Sequence, residues 1–142
     1  MKIVVSACLL GENCKYSGGN NRCGKVVSLA GRHELIPVCP EVMGGLPVPR
    51  TPAERRGGRV VAKDGRDVTD SFVRGAEAAM ETVRREKPDL IILQPRSPSC
   101  GKGMIYDGGF TGALVAGNGI FAEAAAGEGY RVVTSDEIPD EL

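Results

Sequence analysis

Four short apolar runs rich in β-branched residues punctuate the chain and predict strands over 2–7, 34–38, 89–94 and 130–133. Between the second and third, Phe72, Val73, Ala76, Ala79, Met80 and Val83 recur at helical spacing. They predict a long helix, capped by Thr69 or Asp70 and ended at Lys87-Pro88. Residues 59–62 and 66–68 flank Lys63-Asp64-Gly65, a hairpin signal. A short helix is expected over 25–32, and an Ala-rich helix over 112–126, interrupted by Gly117-Asn118-Gly119. The acidic tail, about 135–142, is expected to fray. Strands alternating with helices imply an α/β fold with a mostly parallel, Rossmann-like sheet and helices on both faces. The 142 residues fit a single three-layer domain, 1–142.

The polar stretches are not uniform. Ten of the 20 glycines and six of the 9 prolines gather in three loops, 9–24, 40–52 and 95–109, and cysteines sit in or beside each. Cys8 ends the first strand, Cys39 ends the second, and Cys100 lies in the loop after the third. Ligands of parallel sheets bind outside the carboxyl ends of the strands, so neighbouring strands bring these thiols together. Irregular loops on a rigid scaffold are also where chemistry concentrates.

Charge narrows the partners. Lys+Arg and Asp+Glu balance at 18 each, so no global field recruits nucleic acid or an anionic membrane. No apolar run approaches the length of a membrane span, and the first residues read as a strand rather than a signal peptide. A cytoplasmic location is expected; thiols stay reduced there, so five cysteines point to metal or catalysis more than to disulfides.

There is no C-x-x-C, the usual knuckle of a four-ligand structural zinc site. Three thiolates on a 4Fe-4S cluster leave one iron open, which a catalytic site needs. Inert core cysteines are the alternative, as are a zinc- or iron-binding structural module and a thiol redox protein using Cys8 and Cys14. Cys14 is a candidate fourth ligand, a persulfide carrier or a bystander, and Cys23 reads as a surface or half-buried thiol. Arg50 either faces the same space, where it could orient a carbonyl, or is a solvated surface residue. His33, the only histidine, reads as a surface or helix-end residue, and Gly108 to Gly112 as a helix-start loop able to seat an anion.

Four segments resemble a known family: Ser6-Ala7-Cys8-Leu9-Leu10-Gly11, Cys14-Lys15-Tyr16-Ser17-Gly18, the run from Cys39-Pro40-Glu41 to Arg50, and Arg96-Ser97-Pro98-Ser99-Cys100-Gly101. The chain is similar to the thiouracil desulfidases over nearly its whole length. The resemblance implies a 4Fe-4S cluster held by Cys8, Cys39 and Cys100, with Glu41 as acid/base residue and Ser97 or Ser99 lining the pocket. It implies an iron–sulfur-dependent, non-redox desulfidase, a hydrolase of C–S bonds. The substrate would be a small thiolated pyrimidine such as 2-thiouracil, giving uracil and sulfide, with no nucleic-acid or membrane partner. Relatives carry aspartate where this chain has Ser17, which bears on substrate identity. The sequence leaves oligomeric state open.

Overall fold

The computed structural model describes residues 1–142. In chain order its strands are β1 (Lys2–Ser6), β2 (Glu34–Val38), β3 (Ala53–Arg56), β4 (Arg59–Ala62), β5 (Leu90–Leu93), β6 (Met104–Tyr106), β7 (Leu114–Ala116) and β8 (Val132–Thr134). Its α-helices are α1 (Gly24–Val27), α2 (Pro40–Met43), α3 (Thr69–Glu86) and α4 (Ile120–Gly127).

The β-branched runs form the core sheet, four parallel strands in the order β2-β1-β5-β8. Ile3, Val4 and Val5 of β1 are fully buried because both faces of the sheet are covered. Val4, Val38, Ile91 and Leu93 face α3 and α4, where Ala76, Ala79, Met80, Val83 and Phe121 close one core. Ile3, Val5, Leu90 and Ile92 face the other way, onto Leu9, Val26, Leu29 and Ile138. The second layer is thus thin: α1 and the 3-10 turns Ala7–Leu10 and Ser28–Gly31. β2 lies on one side of β1 and β5 on the other, so the strand order reverses at β1 and opens a crevice there. No helix is long and apolar enough to cross a membrane.

Several elements differ from the sequence reading. The hairpin at Lys63-Asp64-Gly65 does form, with the Ala62 N–H on Arg66 O at 2.8 Å, the Val68 N–H on Val60 O at 2.9 Å and the bridge Val61↔Asp67, but a second, unforeseen turn at Gly57-Gly58 also pairs β4 with β3. The stretch 112–126 is not one helix, because Leu114–Ala116 pair antiparallel with Met104–Tyr106 and α4 starts only at Ile120. Neither Thr69 nor Asp70 caps α3: Asp67 Oδ1 accepts the Thr69 N–H at 2.9 Å. The tail is docked rather than frayed, with a 3-10 turn at Ser135–Glu137, Ile138 buried, and Arg32 donating to the Leu142 carbonyl at 2.6 Å.

Residues 40–52 are not wholly irregular either. Pro40, with its φ preset for the first helical position, starts the one-turn helix α2 directly after Cys39. That turn lies backbone-to-backbone on α3. A Cβ at Gly75 would overlap the Pro40 carbonyl, and one at Gly44 would overlap the Ser71 carbonyl. The approach is of the Cα–H to carbonyl kind, which only glycine permits.

Gly75→Ala should therefore force α2 off α3 and cost about 2–3 kcal/mol, a fall in Tm on the order of 5–10 °C by thermal melting. Gly127→Ala, where a Cβ meets nothing within 4 Å, should leave Tm unchanged or slightly raised.

Candidate active site

Three loops meet above the carboxyl ends of β2, β1 and β5. Cys8 lies in the 3-10 turn that follows β1, anchored by the buried neighbours Ala7 and Leu9. Cys39 is the extended residue before α2. Cys100 closes a turn after β5 in which its N–H donates to Ser97 Oγ at 2.7 Å and the Gly101 N–H to the Ser97 carbonyl at 2.9 Å. The first N–H groups of α4 donate to this same turn, Ile120 to Pro98 O and Phe121 to Ser99 O, each at 2.9 Å. A Cβ on Gly119 would overlap the Ser99–Cys100 peptide, so the positive end of α4 packs directly behind Cys100.

The thiols border a cavity of about 490 Å³, together with Cys14, Glu41, Ser97, Ser99 and Arg50. Their electrostatics show how close they are. Cys100 is pushed up to about 12, first by burial and then by the negative fields of Cys8 and Glu41, while hydrogen bonds with Ser6 and Ser99 act against it. Cys8 is raised by burial, partly offset by the Asn21 side-chain N–H at 3.6 Å, and raised further by Cys39 and Glu41. Cys14 is also pushed up to about 12, by burial and then by the adjacent Cys39 and by Cys8. Cys23 stays apart, packed against the thin layer with its N–H on Leu9 O.

No three His, Cys, Asp or Glu side chains are gathered tightly enough to hold a single metal ion. A zinc ion would need ligands about 2.3 Å away and therefore within about 4 Å of one another. The donor set suits a larger, softer group. Three thiols lie on separate adjoining loops around a roomy cavity, and Asn21, Ser6 and Ser99 hydrogen-bond to their sulfurs. Thiolate ligation with outer hydrogen bonds to sulfur is the pattern that iron–sulfur clusters require.

Beside the thiols lies a polar chain. Ser99 Oγ donates to Glu41 Oε2 at 2.8 Å and lies 3.4 Å from Ser97 Oγ and 3.6 Å from Cys100 Sγ. Glu41 Oε1 accepts from Arg50 Nε at 3.2 Å and Nη2 at 3.1 Å. The two side chains are 17% and 7% exposed, so this is a largely desolvated ion pair. Arg50 also donates to Cys14 O at 2.9 Å and Pro47 O at 3.1 Å, which ties the first loop to the second. With one carboxylate oxygen fixed by Arg50, the other is left to a hydroxyl or a water.

Glu41, Ser97, Ser99 and the three thiols are thus brought together, and Cys14 joins them. Arg50 is an inward-facing clamp on Glu41, not a surface residue; only its place at the end of a Pro-rich loop hinted at this. Ser17 is exposed, accepts the Gly19 N–H, and does not line the cavity. His33 lies elsewhere, against the N-terminal amine at 3.1 Å. Sequence reasoning did not find Asn21 or Glu54. Glu54 lines the cavity and accepts the Gly108 and Phe110 N–H groups at 3.0 and 3.1 Å. The 108–112 loop leads into β7 rather than a helix, so it has no helix N-terminus to seat an anion.

Comparison with known proteins adds three findings. The family model described as 2-thiouracil desulfurase matches residues 3–137. The uncharacterized protein YbbK of Bacillus subtilis (strain 168) is 35% identical over 150 residues, spanning 99% of both chains. The solved structure of the 4Fe-4S-dependent thiouracil desulfidase TudS matches with a TM-score of 0.92 at 41% identity, covering 98% of this chain and 93% of that one.

The raised thiols have a consequence for stability. Cys14 and Cys100 titrate near 12 in the fold against an ordinary value of 9.0, so the folded chain favours the neutral thiol. Their contribution is complete below pH 9 and is lost as pH rises from 9 towards 12. Metal-free protein should melt at falling temperature across that window, and Cys100→Ala should flatten the slope of Tm against pH in calorimetry.

Proposed function

Since the chain belongs to the 2-thiouracil desulfurase family, we propose that it removes the sulfur of a small thiolated pyrimidine such as 2-thiouracil with water, giving uracil and sulfide. The observation that carries this reading is the convergence of Cys8, Cys39 and Cys100 on one cavity that also holds the Ser99–Glu41–Arg50 chain. The three cysteines hold a 4Fe-4S cluster. Bound there, that cluster would supply Lewis acidity to the substrate sulfur.

The chain's own residues account for the rest. Arg50 fixes Glu41 Oε1, which presents Oε2 to the cavity. Glu41 Oε2 takes a proton from the attacking water as the new C–O bond forms. The C–S bond breaks with its electron pair on sulfur, which takes the second proton of the water and leaves as hydrosulfide as the carbonyl forms; Glu41 then returns its proton to solvent, and no electron is gained or lost overall. The Ser99 hydroxyl lies between Glu41 Oε2 and Cys100 Sγ, placed to hold the water or relay its proton. Ser97 fixes the turn by accepting the Cys100 N–H. A cytoplasmic setting, where thiols stay reduced, suits five free cysteines.

Anaerobic reconstitution should load about four irons and matching acid-labile sulfide per chain, and Cys100→Ser should lose them. Wild type that takes up zinc alone, or that forms a reversible Cys8–Cys14 disulfide with no metal, sinks the reading in favour of a metal module or a thiol redox protein. Glu41→Gln should keep its iron while kcat for 2-thiouracil falls by roughly 10²–10⁴; equal turnover would remove Glu41 as the base.

A further inference from the structure

The chain has three Phe and three Tyr and no Trp. Phe121 lies in the core beneath α3 and α4 with Tyr130 packed against it, and Phe72 is buried on α3 at 1% exposure. The other three, Tyr16, Tyr106 and Phe110, pack against neither hydrophobic core, and all three border the cavity. Every aromatic ring that the fold does not use for packing is therefore at the site.

Phe110 stands out among them. Its φ is +57°, in the left-handed region that costs a side chain-bearing residue roughly 1–2 kcal/mol. Gly108 and Gly112, two residues away on either side, take positive φ without that cost. A glycine at 110 would suit the backbone better, so the ring has a use that outweighs the strain. The strained turn is held from outside. Glu54 Oε1 accepts both the Gly108 and the Phe110 N–H, and Arg56 donates to Gly108 O at 2.6 Å. Tyr16 already has the Lys15 ammonium 5.6 Å from its ring centre, whereas nothing polar is bound to Phe110 beyond its backbone. A phenyl ring with a free face beside a cavity that takes a planar heterocycle is a stacking surface.

We propose that Phe110 is the wall on which the pyrimidine ring stacks, and that Glu54 is the positioning residue that aims it. The proposal rests on the thiolated-pyrimidine reading above and adds the residue that grips the ring.

The test measures binding as well as turnover. Reconstituted wild type, Phe110→Gly, Phe110→Tyr, Glu54→Ala and Glu54→Gln are dialysed to equilibrium against uracil, and the KM of each for 2-thiouracil is measured from initial rates. Uracil has no sulfur to meet iron, so its affinity reads the wall alone. Phe110→Gly relieves the backbone, so a fold failure does not obscure the result. It should weaken both ligands on the order of 5- to 100-fold, as loss of base–aromatic stacking does, with iron content kept. Phe110→Tyr should bind like wild type. Glu54→Ala should weaken both ligands in parallel, and Glu54→Gln, which keeps an acceptor, should restore them. Unchanged uracil affinity in Phe110→Gly overturns the proposal, even if wild type desulfurises 2-thiouracil. Wild type that binds uracil through Phe110 yet converts no 2-thiouracil leaves the wall standing and overturns the reaction. Wild type that binds neither ligand overturns both.

Discussion

Backbone meeting backbone, without side chains between, fixes the geometry of the site. Gly44 and Gly75 let the one-turn helix α2 rest on α3, and α2 carries Cys39 at its start and Glu41 in its turn. Gly119 does the same for the Ser99–Cys100 peptide against the start of α4. Both contacts stand on the same core, under α3 and α4, which is close-packed and yields little. Cys8 alone is held from the opposite layer, through its neighbour Leu9. The thiols are thus set by the spacing of main chains, a more rigid rule than the rotamers of long side chains.

On that frame the site balances charges that would otherwise repel. Glu41 and three cysteines share one cavity, and each carboxylate or thiolate formed there opposes the next. Arg50 answers for Glu41, with both partners largely out of water. Cys8 and Cys100 have no such cation against them, and burial favours their neutral forms until a metal takes the proton's place.

Much of this could be read in the residues. The strands announced themselves by β-branched runs, α3 by its 3.6-residue period, and the cysteines by their place at strand ends. The misreadings share a cause. Leu114, Val115 and Ala116 are all exposed, so the β6–β7 hairpin shows no in–out alternation and its alanines and glycines mimic a broken helix. Both Gly57-Gly58 and Lys63-Asp64-Gly65 turn the chain, but β3, Ala53–Arg56, has no β-branched residue to announce it and so goes unread. Ile138 docks under the sheet through a partner layer that no local pattern describes. Arg50 and Glu54 act across 9 and more than 50 residues respectively, distances over which a single sequence carries no periodic signal.

The order of the ligands along the chain bears on how the protein is made. Synthesis proceeds from the N-terminus, so Cys8 and Cys39 leave the ribosome long before Cys100 and the helix behind it, which starts at Ile120. Two thiols without the third are an open invitation to the wrong metal or to oxidation. The burial that keeps Cys8, Cys14 and Cys100 protonated withholds the reactive thiolate during the interval between release and loading.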